Sequence, residues 1–185
     1  MLRNDEKVEE KMPDTQSKGR AHRLQVARRV SEVLGGFLQR GTFQEVHFGK
    51  VRVGRVTHRV LWHHGRVYRF MLDLDAGAVM FPALLPATAS VAMPPQLPRE
   101  LKAFLRSVVA GAARETNQID PEKGELRVVM LHGSLTISIT VRGDAYEYCM
   151  EQLMRTADAL LTVFLEQPAY IDYRNGIVST AIKID

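Results

Sequence analysis

The sequence predicts an α+β domain: a mainly antiparallel sheet, built from a meander plus hairpins, with about three helices packed on one face. Three observations carry that prediction. Apolar residues recur at helical spacing over 20–39, 98–114 and 144–165; they alternate with polar ones in the β-rich stretches 42–85 and 125–142; and glycine-containing turn dipeptides separate the β-rich runs. The chain has 185 residues, of which 45% are hydrophobic and 25% charged, values typical of a globular domain that buries its own core.

Residues 1–19, MLRNDEKVEEKMPDTQSKG, carry no apolar stripe and no apolar core of a secretory signal, so they read as a mobile polar tail before a single domain over 20–185. In 20–39, Leu24, Val26, Ala27, Val30, Val33, Leu34, Phe37 and Leu38 form the buried stripe, with Arg23, Arg28, Arg29 and Glu32 on the other side. Gly35-Gly36 predicts either a frayed last turn or a close approach by another backbone, because each glycine costs about 1 kcal/mol against alanine in a helix. From Thr42 to about Leu85, the dipeptides Gly54-Arg55, His64-Gly65 and Ala76-Gly77 punctuate a meander of three or four strands. A two-residue loop at His64-Gly65 sets His63 opposite Arg66, Trp62 opposite Val67, Leu61 opposite Tyr68 and Arg59 opposite Phe70. Leu61, Tyr68, Phe70, Leu72 and Leu74 are then the core face. Trp62 falls on the other face, with His58, Val60, Val67, Arg69 and Met71.

The stretch 82–98, PALLPATASVAMPPQLP, holds five of the eight prolines and reads as an extended crossing over the surface. Pro98 suits the first position of a second helix, whose stripe is Leu101, Phe104, Leu105, Val108, Val109 and Ala112. In GELRVVMLHGSLTISITVRG, a loop at His132-Gly133 pairs Met130 with Leu135, Val128 with Ile137 and Leu126 with Ile139, leaving one buried face and one mostly wet face. A third helix opens at Asp144, with Glu147 completing a capping box and Tyr146, Met150, Leu153, Ala157, Leu160, Leu161 and Phe164 as its stripe. Asn175-Gly176 predicts a terminal hairpin over 169–183.

Charge is distributed unevenly. Residues 17–70 carry twelve Lys or Arg against two acids, a balance of +10, although the whole chain is only +4. Such a segment draws anionic partners, whether acidic protein, nucleic acid or an anionic lipid surface, unless its cations are scattered over several faces. No apolar run approaches the roughly 18 residues that span a bilayer.

Chemistry is scarce. Adjacent His63 and His64 point to opposite faces of a strand, and none of the six histidines has metal-ligand spacing, so no metal is expected. The single cysteine, Cys149, excludes an internal disulfide, fits a reducing cytoplasm, and sits mid-helix among acids that oppose a thiolate. No nucleophile elbow, phosphate loop or dinucleotide fingerprint occurs, and DPEKGE lacks calcium-loop spacing. The chain is therefore expected to be neither an enzyme nor a cofactor protein. Nucleic-acid binding is open through the cations and, if exposed, Phe48, Trp62 or Tyr68 as stacking groups.

The order of elements from 20–39 through the β meander, 98–114, 125–142 and 144–165 resembles the small α+β fold of type III secretion chaperones. That resemblance implies a homodimer holding an extended client segment. Taken together, these readings describe a cytoplasmic, self-associating, adaptor- or chaperone-like domain without a membrane span. It recognises an anionic partner, most simply a protein and alternatively a nucleic acid. Arg52, Arg59, Trp62, Arg66 and Arg69 are the expected contacts, the arginines for charge and paired hydrogen bonds and Trp62 as an anchor.

Overall fold

A computed structural model describes residues 15–85, 93–111, 118–131 and 134–175. Within them the chain is α+β: one six-stranded antiparallel sheet with its helices gathered on one side. Helix α1 (Thr15–Gln39) comes first, followed by β1 (Glu45–His47), β2 (Arg55–Trp62), β3 (Arg66–Asp73) and β4 (Ala78–Leu85). Helix α2 (Leu97–Val109) then crosses to β5 (Gly124–Leu131), β6 (Ser134–Val141) returns beside β4, and α3 (Tyr146–Ala159) closes the layer. The strand order is β1-β2-β3-β4-β6-β5.

Helix α1 starts five residues earlier than the apolar periodicity indicates, and runs unbroken through Gly35-Gly36. Neither reading of that glycine pair holds: nothing lies within 4 Å of a Cβ built at Gly35. The helix ends instead at Gly41, whose φ of 73° lets the Thr42 and Gly41 amides donate back to Phe37 and Leu38. Val26, Ala27, Val30 and Leu34 are buried against the sheet layer and α3, and Leu24 is left exposed.

The hairpin of β5 and β6 has the expected register, with Met130 opposite Leu135, Val128 opposite Ile137 and Leu126 opposite Ile139. Its tip at 132–133 lies outside the described residues. The hairpin of β2 and β3 does not follow expectation. Its loop takes three residues, His63, His64 and Gly65, with His64 at φ 57° and Gly65 at φ 71°. Trp62 therefore faces Arg66, Val60 faces Tyr68, His58 faces Phe70 and Arg59 faces Arg69. Side chains alternate along a strand, so a one-residue change of register moves every β2 side chain to the other face. Val56, His58, Val60 and Trp62 join Tyr68, Phe70 and Leu72 in the core, and Leu61 turns outward.

Pro82 lies within β4 rather than in a surface crossing, and the ladder shifts register between Phe81 and Leu85, with Ala83 at φ 51°. A proline cannot donate to a ladder, and a bulge is where a strand tolerates one. Residues 86–92, the middle of the proline-rich stretch, lie outside the described residues. Pro98 occupies the first turn of α2 as expected, and Leu97, Leu101, Leu105 and Val108 are buried beneath it.

The third helix begins at Tyr146, with no side-chain cap. Asp144 and Glu147 do not form the expected capping box; both reach Arg29 of α1, at 2.6 and 3.2 Å, which ties α1 to the start of α3. The helix ends in a π-turn over Leu160–Phe164 that keeps Leu160, Leu161 and Phe164 buried. The expected terminal strand is absent from the described part of its range. Pro168–Tyr170 is a 3-10 turn and 171–175 is helical, because Tyr170 and Tyr173, both buried, need helical spacing to reach the core together. Residues 176–183 lie outside the described set.

Candidate anion-binding face

With the helices on one side, the other face of β1 to β4 is open among the described residues, and its side chains follow from the registers. Leu61 stands opposite Val67, Arg59 lies between His47 and Arg69, Thr57 faces Met71 and then Met80, and Arg55 faces Asp73. The result is a row of His47, Arg59 and Arg69, flanked by Glu45, Leu61 and Val67 on one side and by Thr57, Met71 and Met80 on the other.

The loop after β1 adds two more cations. Arg52 and Arg55 exchange backbone hydrogen bonds of 2.8 and 2.9 Å around Val53 (φ 45°) and Gly54 (φ 69°), a tight turn that returns the chain into β2. Gly49 lies so close to β2 that a Cβ there would be 2.1 Å from the Thr57 carbonyl oxygen. Only glycine permits that approach, and it presses the Lys50–Arg52 segment onto the strand. Gly49, Lys50, Arg52, Arg55, Thr57, Arg59 and Arg69 line an open basin of about 480 Å³.

The carboxylates around this basin are already engaged. Asp73 pairs with Arg55 at 2.7 Å and accepts the Asp75 and Ala76 amides. Burial opposes its ionisation, but those two amides and Arg55 outweigh it and hold the Asp73 carboxyl below its ordinary pKa. Asp75 pairs with Arg23 of α1 at 2.6 Å, and Glu45 with His47 at 2.9 Å. Among the described residues, Lys50, Arg52, Arg59 and Arg69 have no carboxylate within 4 Å.

Three of the five expected contacts, Arg52, Arg59 and Arg69, thus meet in one basin. The other two do not. Trp62 is 3% exposed, packed edge-on against Phe43 and Tyr68 with ring centroids 5.4 and 5.8 Å away, and cannot anchor a partner. Arg66, its cross-strand neighbour, is on the helix side with its guanidinium 5.2 Å from the Tyr68 ring centre, beside Leu161 and Arg174. Lys50 and Arg55 complete the basin without having been singled out. Arg55 was legible as the residue four before Arg59 on one strand face; Lys50 depends on a loop conformation that no periodicity signals.

Other groups in the described residues are structural. Cys149 is buried, its thiol pushed up to about 11 by that burial, and it donates to the Lys123 carbonyl at 3.3 Å. Burial likewise takes His58 down to about 4; its Nδ1 accepts the Gly49 amide at 3.3 Å. The described residues contain no cluster of three His, Cys, Asp or Glu that would hold a metal, and no helix long and apolar enough to cross a membrane. No family model, no curated protein and no solved structure matches this chain.

Proposed function

We propose that this protein is a non-enzymatic binding domain of adaptor or chaperone-like kind, which holds an anionic segment of a partner protein in the basin of Lys50, Arg52, Arg55, Arg59 and Arg69. One observation carries the reading. Arg59 and Arg69 stand directly opposite each other on neighbouring strands, with no carboxylate within reach among the described residues. Like charges so placed destabilise a sheet, and the arrangement makes physical sense when a partner supplies the missing anion.

A nucleic acid is the second reading, favoured by Phe48, which is 50% exposed, although its ring packs edge-on against His58 and is not part of the basin lining. It is the weaker one, because Trp62 and Tyr68, the stacking groups it would need, are in the core. Self-association, as the chaperone resemblance implies, and a cytoplasmic location, in keeping with a single reduced cysteine, belong to the same proposal.

The test is fluorescence anisotropy with labelled acidic peptides and oligonucleotides of matched charge, at low and high salt. Micromolar peptide binding that weakens with salt, falls at least tenfold in Arg59→Ala/Arg69→Ala, and is unchanged in Arg106→Ala on exposed α2 supports the proposal. Absence of any anion binding at low salt overturns it.

A further inference from the structure

We infer that the segment taken by this basin is extended and mixes acidic with apolar side chains, so that apolar contacts beside the arginines, rather than charge density alone, select it. The inference rests on the anion-binding reading above and adds the ligand's chemistry. Its basis is the order of rows on the open face. The Arg59–Arg69 row has Leu61 and Val67 on one side, with Glu45 across from Leu61 but held by His47, and Thr57, Met71 and Met80 on the other. Val67 is 60% exposed, and Leu61, Met71 and Met80 are half-buried, so aliphatic surface lies within one residue repeat of the charge.

A phosphate backbone presents anions without apolar groups between them, and its bases call for aromatic platforms that this face lacks. A membrane presents a flat plane of headgroups, whereas Lys50, Arg52, Arg59 and Arg69 line a concave basin. An extended peptide chain meets both conditions. Its side chains alternate with a repeat of about 6.7 Å per two residues, the same repeat as the strands beneath it.

The spacing defines the ligand further. Arg55, with Arg52 across the tight turn, lies four residues from Arg59 on β2, and Leu61 lies two residues beyond. A peptide lying along β2 would then place two carboxylates about 13 Å apart and an apolar group about 7 Å past the second. Guanidinium forks at Arg59 and Arg69 bind one carboxylate, Lys50 and Arg52 the other, and Leu61 with Val67 covers the apolar side chain.

Two labelled peptides test this: one with two glutamates four residues apart and a leucine two residues further on, and a twin with serine for that leucine. An oligonucleotide of matched charge and phosphatidylglycerol vesicles complete the set. The leucine peptide should bind about tenfold more tightly than its twin; Val67→Ser or Leu61→Ser should erase that gap, and Arg59→Ala/Arg69→Ala should weaken both peptides. Each variant is read only after its circular dichroism matches the parent and its melting temperature is no lower, and Val67, the more exposed, guards against a Leu61 variant that fails to fold. Equal binding of the twins overturns the inference and leaves the anion site standing. Failure of both peptides at low salt overturns the anion-binding reading itself. Tighter binding of the oligonucleotide or the vesicles overturns a peptide as the occupant.

Discussion

Replacing Arg69 with glutamate should make the folded protein more stable while abolishing its affinity for anions. Arg69 is exposed and directly opposite Arg59, so two guanidinium groups share a site where cross-strand neighbours normally attract. Allowing the side chains to splay to about 7 Å, their repulsion in water is about 0.6 kcal/mol before screening. Arg69→Glu turns that repulsion into attraction of similar size, a swing of about 1.2 kcal/mol at low salt. At 0.15 M salt, where the screening length is about 8 Å, roughly 0.5 kcal/mol remains. For a chain of this size that corresponds to a melting temperature raised by about 2–5 °C at low salt and about 1–2 °C at 0.15 M. Scanning calorimetry at both salt concentrations checks it, and the contrast between them is the signature: added salt relieves the parent and weakens the variant's new pair. A variant that melts at or below the parent temperature at low salt would refute the claim that these arginines are an unpaired cluster held for a partner.

Trp62→Ala should cost about 3–5 kcal/mol in urea denaturation, because it opens a cavity between Phe43, Tyr68 and Phe81; in the parent, Trp62 emission should be blue-shifted and unmoved by saturating ligand. His58 gives the fold an acid sensitivity. With its pKa at about 4 when folded against the usual 6.5, the unfolded chain takes up the proton first, so stability present above pH 6.5 is lost progressively as the pH falls to 4. The loss is on the order of 3 kcal/mol, and His58→Leu should remove that slope from denaturation curves measured across the window. Cys149 should resist a thiol reagent at neutral pH until the protein unfolds, so modification that outpaces unfolding would contradict its burial and its thiol pKa of about 11.

Much of the architecture is legible in the residues one stretch at a time. The stripe of Val26, Val30 and Leu34, proline at the start of α2 and the strict alternation of Leu135, Ile137 and Ile139 each depend on contacts within one element or one hairpin. The β5–β6 register follows from two alternating strands whose apolar sets agree. The β2–β3 register was not available in the same way. HHGR fits a two- or a three-residue loop equally well, and β2 has apolar residues on both faces, Val60 and Trp62 on one and Leu61 on the other. Likewise Asp144 and Glu147 have the spacing of a capping box, but the approach of α1 offers Arg29 to both, and an ion pair with a third element leaves no trace in local spacing.

The basin divides along the same line. Composition and spacing suffice to show that residues 17–70 are a cation of +10, to predict an α+β fold, and to name Arg52, Arg59 and Arg69 as candidates. Which arginines meet depends on how the strands pack. A single extra loop residue in the β2–β3 hairpin reverses β2, takes Trp62 into the core, and turns Arg59 outward to face Arg69. Side-chain direction in a strand has a period of two, so one residue of register outweighs any propensity, and register is settled by the packing of a whole face.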